Sequence, residues 1–301
     1  MKTILCIVGP TASGKSELAL RLAEEFDAEI LSCDSLLVYK DLQIGTAKPT
    51  DDEMRRVPHH GVNLVDANEN YNAGDYVRYA RGIIDDAVAR KKKIIIVGGT
   101  GFYLKALLCG TWDAPPTQPD LRAQFEPQDS QLLYAQLLEK DPSYAAKIQA
   151  NDRYRVIRAL EIIEVTGMRL SDQLAQKKPQ NPLPYPSRIL GIRRSKPDLE
   201  KRIIARTNDM FSRGLVNETK TLVERFSTSP SALQCVGYFE VIQFLRGEMT
   251  LPECRERVVI STRQLAKKQM TFFKTFPQSI DWFELPSAEE AFLNAARIVL
   301  G

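Results

Sequence analysis

Along the first hundred residues the apolar positions alternate between two spacings. Ile4-Leu5-Cys6-Ile7-Val8 is an unbroken apolar run of strand length, the signature of a strand buried on both faces of a parallel sheet. From Ser16 onward the spacing is helical, with Leu18, Ala19, Leu22, Ala23 and Phe26 on one face. Residues 29–33 read as a second short strand that stops at Asp34-Ser35. A polar segment punctuated by prolines, from residue 40 to about 72, predicts loops with short helical pieces. Helical spacing returns over 73–92, where Tyr76, Val77, Ala80, Ile83, Ile84, Ala87 and Val88 face inward and the last turn is basic. Residues 93–97 are again strand-like and end at Gly98-Gly99-Thr100, after which a helix spans 102–108. Strands alternating with helices of this length predict an α/β fold, a doubly wound parallel sheet flanked by helices.

The pattern changes at Ala114-Pro115-Pro116-Thr117-Gln118-Pro119, a cluster of helix breakers. Residues 120–174 carry only helical spacing, with Asn151-Asp152 as a cap before a helix over 153–166. Spaced prolines in 177–186 return the chain to the strand-like Arg188-Ile189-Leu190-Gly191-Ile192. Residues 114–186 are therefore expected to form an all-helical insertion domain in a core domain made of 1–113 and 187–301. Two further helical stretches are expected over 197–226 and 232–274.

Composition narrows the function classes. No apolar stretch approaches the roughly 18 to 20 residues needed to span a bilayer. The chain enters its first strand without the basic, apolar and small-residue succession of a secretory leader, which points to a cytoplasmic protein. Cys6, Cys33, Cys109, Cys235 and Cys254 are odd in number and lack Cys-x-x-Cys spacing, which argues against a disulfide framework or a zinc site. His59 and His60 are the only histidines, too few to build a metal cluster alone. The net charge of +3 is too small to demonstrate a nucleic-acid partner, yet its distribution is uneven. Between Leu251 and Phe276, Arg255, Arg257, Arg263, Lys267, Lys268 and Lys274 face only Glu253 and Glu256. On a helix Arg263, Lys267 and Lys274 share one stripe, which by itself is an ordinary solvated face.

The most specific chemistry lies between the first strand and the first helix. Gly9-Pro10-Thr11-Ala12-Ser13-Gly14-Lys15-Ser16 is a complete phosphate-binding loop in its proper context. Backbone N–H groups and the positive end of a helix dipole converge there, Lys15 can reach terminal phosphates, and the Ser16 hydroxyl can ligate Mg²⁺. An ATPase also needs an acidic residue at the end of a neighbouring strand, but 93–97 ends in Gly-Gly-Thr. The carboxylate that does end a core strand is Asp34. Carboxyl ends of strands in such a sheet line one crevice, so Asp34, Thr100 and the loop should converge. Asp34 and Thr100 are equally good helix caps, and on spacing alone both roles stand.

Further motifs extend the pattern: Asp34-Ser35-x-x-Val38-Tyr39-Lys40, Ile44-Gly45-Thr46-Ala47-Lys48-Pro49, Pro58-His59-His60, Gly98-Gly99-Thr100-Gly101-Phe102-Tyr103, Asn151-Asp152-Arg153, Arg155-Val156-Ile157-Arg158-Ala159-Leu160-Glu161, Val236-Gly237-Tyr238 and Arg263-Gln264-Leu265-Ala266-Lys267. In this order, and over nearly the whole chain, they resemble the tRNA dimethylallyltransferases, the isopentenyl transferase family. The resemblance implies a P-loop NTPase-like core that moves a five-carbon prenyl group from dimethylallyl diphosphate to N6 of the adenosine just after the anticodon, position 37. By that correspondence Lys15 and the loop amides grip a diphosphate leaving group, with Mg²⁺ offsetting its charge. Asp34 would orient the adenine amine and take its proton, and Thr100 would hydrogen-bond the bridging oxygen.

The same resemblance implies a tRNA anticodon-arm surface. It would comprise Asp34, Ser35, Leu36, Leu37 and Thr100, then Arg122, Tyr154, Arg155, Val156, Ile157 and Arg158, then Gln234, Cys235, Val236, Gly237 and Tyr238, with Arg263 and Lys267. Arg155 and Arg158 are three apart and share a helix face, so both are expected to reach one backbone. Some positions depart from the family pattern. Ser195-Lys196 stand where Asp-Arg is usual; Lys196 keeps the charge of a diphosphate contact but loses the bidentate fork, while Arg202 and Arg206 match. Asn63 replaces an aspartate, and Tyr154 an arginine. The chain stops without the zinc-finger extension of eukaryotic relatives and so looks bacterial in type, with a monomer as the expected state. Three other readings share the loop, one of them a sister family that prenylates free adenosine phosphates and would not need the basic tRNA-facing helices. A small-molecule kinase would require an arginine-bearing lid and a nucleobase pocket, and a nucleotide-gated RNA-binding protein would leave Asp34 and Thr100 without purpose.

Overall fold

The computed structural model describes residues 3–112, 114–176, 180–226 and 231–301. Lys177, Lys178 and Pro179, in the proline-spaced return, lie outside the described residues. Two compact units emerge, one made of Met1–Leu108 with Leu183–Gly301 and the other of Cys109–Pro182.

The first unit is built on six parallel strands, β1 (Ile4–Val8), β2 (Ala28–Ser32), β3 (His59–His60), β4 (Lys93–Gly98), β5 (Ser187–Arg194) and β6 (Ile280–Leu285), in the order β3-β2-β4-β1-β5-β6. Every residue of β1 and β2 is buried, in β1 as its continuous apolar run requires. One face is covered by α1 (Lys15–Phe26) and α14 (Glu289–Leu300), whose Leu18, Leu22, Phe292 and Ala296 pack on Leu5, Ile7, Ile95 and Leu190. The connections between strands include α2 (Asp51–Arg56), α3 (Ala73–Ala89) and α4 (Gly101–Cys109). After β5 come α10 (Lys196–Ser212), α11 (Leu215–Arg225), α12 (Tyr238–Leu245) and α13 (Leu251–Lys274). Met210, Phe211, Leu215, Tyr238, Val241 and Val258 from these helices form a second core with Val38, Tyr39 and Leu42.

Two strands and one helix escape the sequence reading. β3 is only two residues long, between Pro58 and Gly61, so no periodicity could reveal it. β6 is a partly exposed edge strand in which Asp281 and Glu284 interrupt the apolar positions. It and α14 lie beyond the last stretch read as helical.

One local feature brings the ends of β2 and β4 together. A Cβ on Gly98 would lie 2.0 Å from the Cys33 carbonyl oxygen, so only glycine permits this approach. Cys33 N–H then donates to the Val97 carbonyl (2.8 Å), and Thr100 N–H donates to the Cys33 carbonyl (3.2 Å). These bonds hold the residue after Cys33 beside Thr100.

The second unit is helical: α5 (Pro119–Phe125), α6 (Ser130–Lys140), α7 (Pro142–Ala145), α8 (Arg153–Thr166) and α9 (Leu170–Gln176). Asp152 caps α8 by accepting from Arg155 N–H (3.3 Å), and Gly167, at φ 65°, ends it in the left-handed region. Leu133, Leu137, Val156, Ile157, Leu160 and Ile162 form its core.

Candidate active site

The phosphate loop is shaped by close approaches that only small residues allow. A Cβ on Gly9 would stand 2.6 Å from the Ile192 carbonyl oxygen of the neighbouring strand. Gly14, at φ 96°, supplies the left-handed turn from which α1 starts. The Ser13 hydroxyl is buried without a hydrogen-bond partner.

Side chains from distant parts of the unit brace the loop. Arg194, at the end of β5, donates from Nε to the Ser13 carbonyl (2.7 Å) and is ion-paired to Asp198 (2.7 Å). Arg202 donates from Nε to the Ala12 carbonyl (2.9 Å). Gln269, on α13, accepts from Thr11 N–H (2.8 Å). The guanidinium tips of Arg194 and Arg202 both lie within 3.5 Å of where a Gly14 side chain would begin. Two cations therefore flank the mouth of the loop while their Nε atoms fix its shape.

A cavity of about 230 Å³ opens beside this loop. Its polar lining includes Thr11, Lys15, Ser16, Asp34, Ser35, Thr100, Arg206 and Gln269. Its apolar lining includes Leu36, Leu37, Ile203, Met210, Val236, Val258 and Leu265. Lys15 Nζ rests 3.3 Å from the Pro10 carbonyl. Burial lowers its pKa to about 8, an effect opposed by Asp34 and reinforced by Arg206. Burial likewise lowers the pKa of Arg206, again against the pull of Asp34, and Arg206 Nη2 donates to the Thr46 carbonyl (3.3 Å). One carboxylate thus couples to two half-buried cations. That arrangement awaits an anion.

Asp34 and Thr100, for which spacing left capping and chemistry open, both border the cavity. Asp34 Oδ1 accepts from Leu36 N–H (2.9 Å), an Asx turn that fixes the carboxyl group while it borders the cavity. Thr100 Oγ1 accepts from Ser35 N–H (3.1 Å) and lies 3.4 Å from the Ser35 hydroxyl. Each residue thus makes a cap-like backbone bond and borders the cavity as well.

Lys48 lines the same cavity but cannot serve a ligand. Its buried ammonium gives its three hydrogens to the Tyr39 carbonyl (2.6 Å), the Lys40 carbonyl (3.3 Å) and Asn63 Oδ1 (2.6 Å). Asn63 sits at φ 57°, a conformation asparagine tolerates better than most residues. Lys48 staples three loops together. Burial lowers its pKa to about 8, partly countered by Glu218 and Asp41.

The remaining expected residues fall into distinct places. Val236 and Gly237 border the cavity, Gln234 closes a short 3₁₀ turn (Ser231–Gln234), and Cys235 is largely shielded, its thiol pushed up to about 12 by burial. Tyr238 is fully buried; it donates to Glu218 (2.5 Å) and accepts from Gly45 N–H (3.2 Å), which pins the Gly45 loop rather than facing solvent. Arg263 is exposed and paired with Glu200 (2.5 Å), and Lys267 is exposed. Lys196 is exposed in the first turn of α10 and does not border the cavity. The arginine that braces the loop instead is Arg194, which sequence reasoning missed. Its only sequence signal is a cation at the end of a strand destined to lie beside β1.

In the helical unit, Val156 and Ile157 are buried in the core, so their side chains cannot form a surface. Arg155 and Arg158 also differ from the shared exposed face expected of them. Arg155 is exposed beside Asp152 (3.0 Å), whereas Arg158 is held by the fully buried Glu161 (2.6 Å). Glu161 also takes Arg122 (3.4 Å) and the Gln118 backbone N–H. Burial pushes the Glu161 carboxyl up, but the hydrogen bonds from Arg158 and Gln118 and both arginine charges outweigh it, leaving the pKa lowered. Arg122 continues outward to stack over the exposed Tyr154 ring (5.5 Å).

Comparison with known proteins decides the family. Residues 37–276 match the family model described as IPP transferase. The chain belongs to the IPP transferase family. It is 39% identical to tRNA dimethylallyltransferase 2 of Syntrophus aciditrophicus (strain SB) over 99% of this chain and 97% of that one. It is 41% identical to tRNA dimethylallyltransferase of Geobacter sulfurreducens (strain ATCC 51573 / DSM 12127 / PCA), over 95% of this chain and 93% of the other. Among solved structures it resembles the full-length tRNA isopentenylpyrophosphate transferase of Bacillus halodurans (TM-score 0.72, 31% identity, 100% of this chain and 97% of that one). It also resembles a eukaryotic dimethylallyltransferase captured acting on tRNA (TM-score 0.80, 30% identity, 100% of this chain and 78% of that one). The P-loop NTPase-like fold is thus common to this IPP transferase and its structural neighbours.

Proposed function

We propose that this protein transfers a dimethylallyl group from dimethylallyl diphosphate to N6 of the adenosine at position 37 of tRNA, just 3′ of the anticodon. A C–N bond forms at N6, the C–O bond to diphosphate breaks, and one proton leaves the amine. The observation that carries this reading is the shared cavity: Lys15, Asp34 and Thr100 border it together with an apolar wall. Lys15 and the amides of the loop grip the diphosphate, and Arg194, Arg202 and Arg206 add positive charge as negative charge builds on the departing oxygen. Thr100 hydrogen-bonds the bridging oxygen. Asp34, held by its Asx turn, orients the amine and accepts its proton. Ile203, Met210, Val258 and Leu265 shelter the five carbons from water, which limits hydrolysis of the activated prenyl group.

The donor set fits a hydrated Mg²⁺. Among the described residues there is no group of three or more His, Cys, Asp or Glu that could hold a metal ion, while the Ser16 hydroxyl borders the cavity at the start of α1. Mg²⁺ keeps most of its water and prefers oxygen ligands, so Ser16 and diphosphate oxygens suffice to hold it. Bound there, the ion would offset the charge of the leaving group.

The acceptor adenine must leave its stack to enter the cavity. Asp34, Ser35, Leu36, Leu37, Val236 and Gly237 line the walls it would meet. In the helical unit, Arg155 and the Arg122–Tyr154 pair supply charge and an exposed ring suited to the anticodon arm. A cytoplasmic monomer is the state in which we expect it to work; no helix among the described residues is long and apolar enough to cross a membrane.

The test is transfer from dimethylallyl diphosphate to unmodified tRNA in Mg²⁺ buffer without ATP, with nucleosides read by mass spectrometry. N6-isopentenyladenosine at position 37 is the expected product. A strict ATP requirement, or phosphate passing from ATP to an acceptor, would overturn the reading in favour of a kinase.

A further inference from the structure

Of the side chains that hold the phosphate loop, one also reaches the other half of the site. Arg202 and Arg194 take the Ala12 and Ser13 carbonyls, while Gln269 Oε1 accepts from Thr11 N–H at 2.8 Å. Between these bonds lies Ala12, at φ 62°, a left-handed conformation that is costly for alanine and persists where the surrounding structure holds it. Because a backbone N–H must meet an acceptor, the bond to Thr11 also fixes which end of the Gln269 carboxamide is oxygen. The nitrogen end rests on the turn after β4. A Cβ on Gly99 would stand 2.5 Å from Gln269 Nε2. Gly99 does not have a positive φ, so this contact, and not the backbone, calls for glycine.

The next turn of α13 repeats the pattern, since a Cβ on Gly101 would collide with the Phe272 ring. Both glycines that flank Thr100 are therefore packed against α13, through Gln269 and Phe272. The same helix borders the cavity along one stripe, Val258, Thr262, Leu265 and Gln269, spaced four, three and four residues apart. Thr11 and Thr100 border the cavity as well. Gln269 thus touches two segments with separate tasks: the loop that grips the diphosphate and the turn that presents the Thr100 hydroxyl.

We propose that Gln269 is a positioning residue for the transfer step. It spans the phosphate loop and the Thr100 turn, and so sets the distance between the gripped diphosphate and the hydroxyl that bonds its bridging oxygen. The inference rests on the reading of this cavity as a prenyl-transfer site. The amides at the start of α1 and the Lys15 charge hold the anion. Gln269 decides where that anion stands relative to Thr100. Its loss should therefore appear in the rate of transfer and not in the affinity for diphosphate.

Single-turnover transfer from dimethylallyl diphosphate to tRNA gives the rate, and calorimetry with pyrophosphate and Mg²⁺ gives the affinity. At saturating substrates Gln269→Ala should lower the rate about tenfold to a hundredfold, the cost of a shift of roughly 1 Å between reacting groups. Pyrophosphate affinity should stay within about threefold, the pattern of a group that acts on the transition state alone. Gln269→Glu keeps an oxygen for Thr11 N–H and should recover most of the rate, with a raised KM for the donor because it adds negative charge to the cavity lining. Gly99→Ala should displace the Gln269 carboxamide and lower the rate about tenfold. In the Gln269→Ala background it should cost nothing further, because the nearest remaining neighbour of its Cβ is the Gly9 carbonyl oxygen at 3.4 Å. A Gln269→Ala rate within about threefold of wild type would overturn this inference alone. So would parallel losses of rate and pyrophosphate affinity, or full additivity of the Gly99 and Gln269 changes. If the wild-type protein transfers nothing, the prenyl-transfer reading falls and the inference falls with it.

Discussion

Replacing Asp34 by asparagine and by alanine separates its two roles. Asparagine keeps an oxygen where Oδ1 accepts from Leu36 N–H at 2.9 Å, so the turn survives while the base is lost. Alanine removes both. The turn bond contributes about 1 kcal/mol of stability, the usual net value for one intramolecular hydrogen bond. Loss of a general base costs about 10² to 10⁴ in rate, or roughly 3 to 5 kcal/mol at 1.36 per factor of ten. Both variants should therefore lose turnover to a similar degree, and only Asp34→Ala should lose appreciable stability. Asp34 also supports the charge of Lys15, so the measurement belongs at pH 6.5 to 7, below the Lys15 pKa of about 8. Single-turnover transfer at saturating tRNA, with product read by nucleoside mass spectrometry, gives the rate; urea unfolding gives the stability. Turnover of Asp34→Asn within threefold of wild type would refute the base assignment and leave Asp34 as a turn residue. So would a rate loss confined to Asp34→Ala.

Three further outcomes follow from the same geometry. Because burial lowers the Lys15 pKa to about 8, the free site loses that charge as pH rises, so pyrophosphate affinity measured by calorimetry should fall more steeply above pH 8 in the wild type than in Lys15→Ala, which leaves only the ligand's own titration. Arg158→Ala leaves the buried Glu161 without its nearest cation and should lower stability in urea unfolding by about 3 kcal/mol, whereas Arg155→Ala should leave stability unchanged and reduce the salt slope of tRNA binding by about one unit. Lys196→Ala should leave pyrophosphate affinity within about twofold, as expected of an exposed charge, whereas Arg202→Ala, which removes a bond to Ala12 and a cation at the loop, should weaken it about tenfold.

The parts of the fold that could be read beforehand are those in which local chemistry and burial agree. β1 lies where its apolar run is, and α8 starts at the cap residue Asp152 and stops at Gly167, because such elements carry their boundaries in their own residues. β3 was invisible because two paired residues have no period, and β6 because an edge strand tolerates Asp281 and Glu284 on its way through the sheet. The cavity triad of Lys15, Asp34 and Thr100 was legible for a topological reason. Each ends a strand or opens the helix after it, and parallel strands bring those ends to one edge.

The charges around the triad were harder to assign, since a charged side chain is defined by its partner and the partner is set by the fold. Arg155 and Arg158 look equivalent in sequence, three residues apart on one helix. A carboxylate one turn further on, Glu161, is buried in the helical core and needs cations, so it claims Arg158 and Arg122 and leaves Arg155 in solvent. Lys196 and Arg194 are exchanged for a similar reason. The helix that begins at Lys196 exposes Lys196 in its first turn, whereas Arg194 is still on β5, which pairs through Gly191 with β1, the strand that leads into the loop. From there its Nε meets the Ser13 carbonyl, and its distance from the loop in sequence, 181 residues, carries no hint of the contact. The loop amides are thus aimed by arginines that bind the loop's carbonyls, and the same guanidinium groups provide positive charge at its mouth. One set of side chains shapes the anion site and charges it.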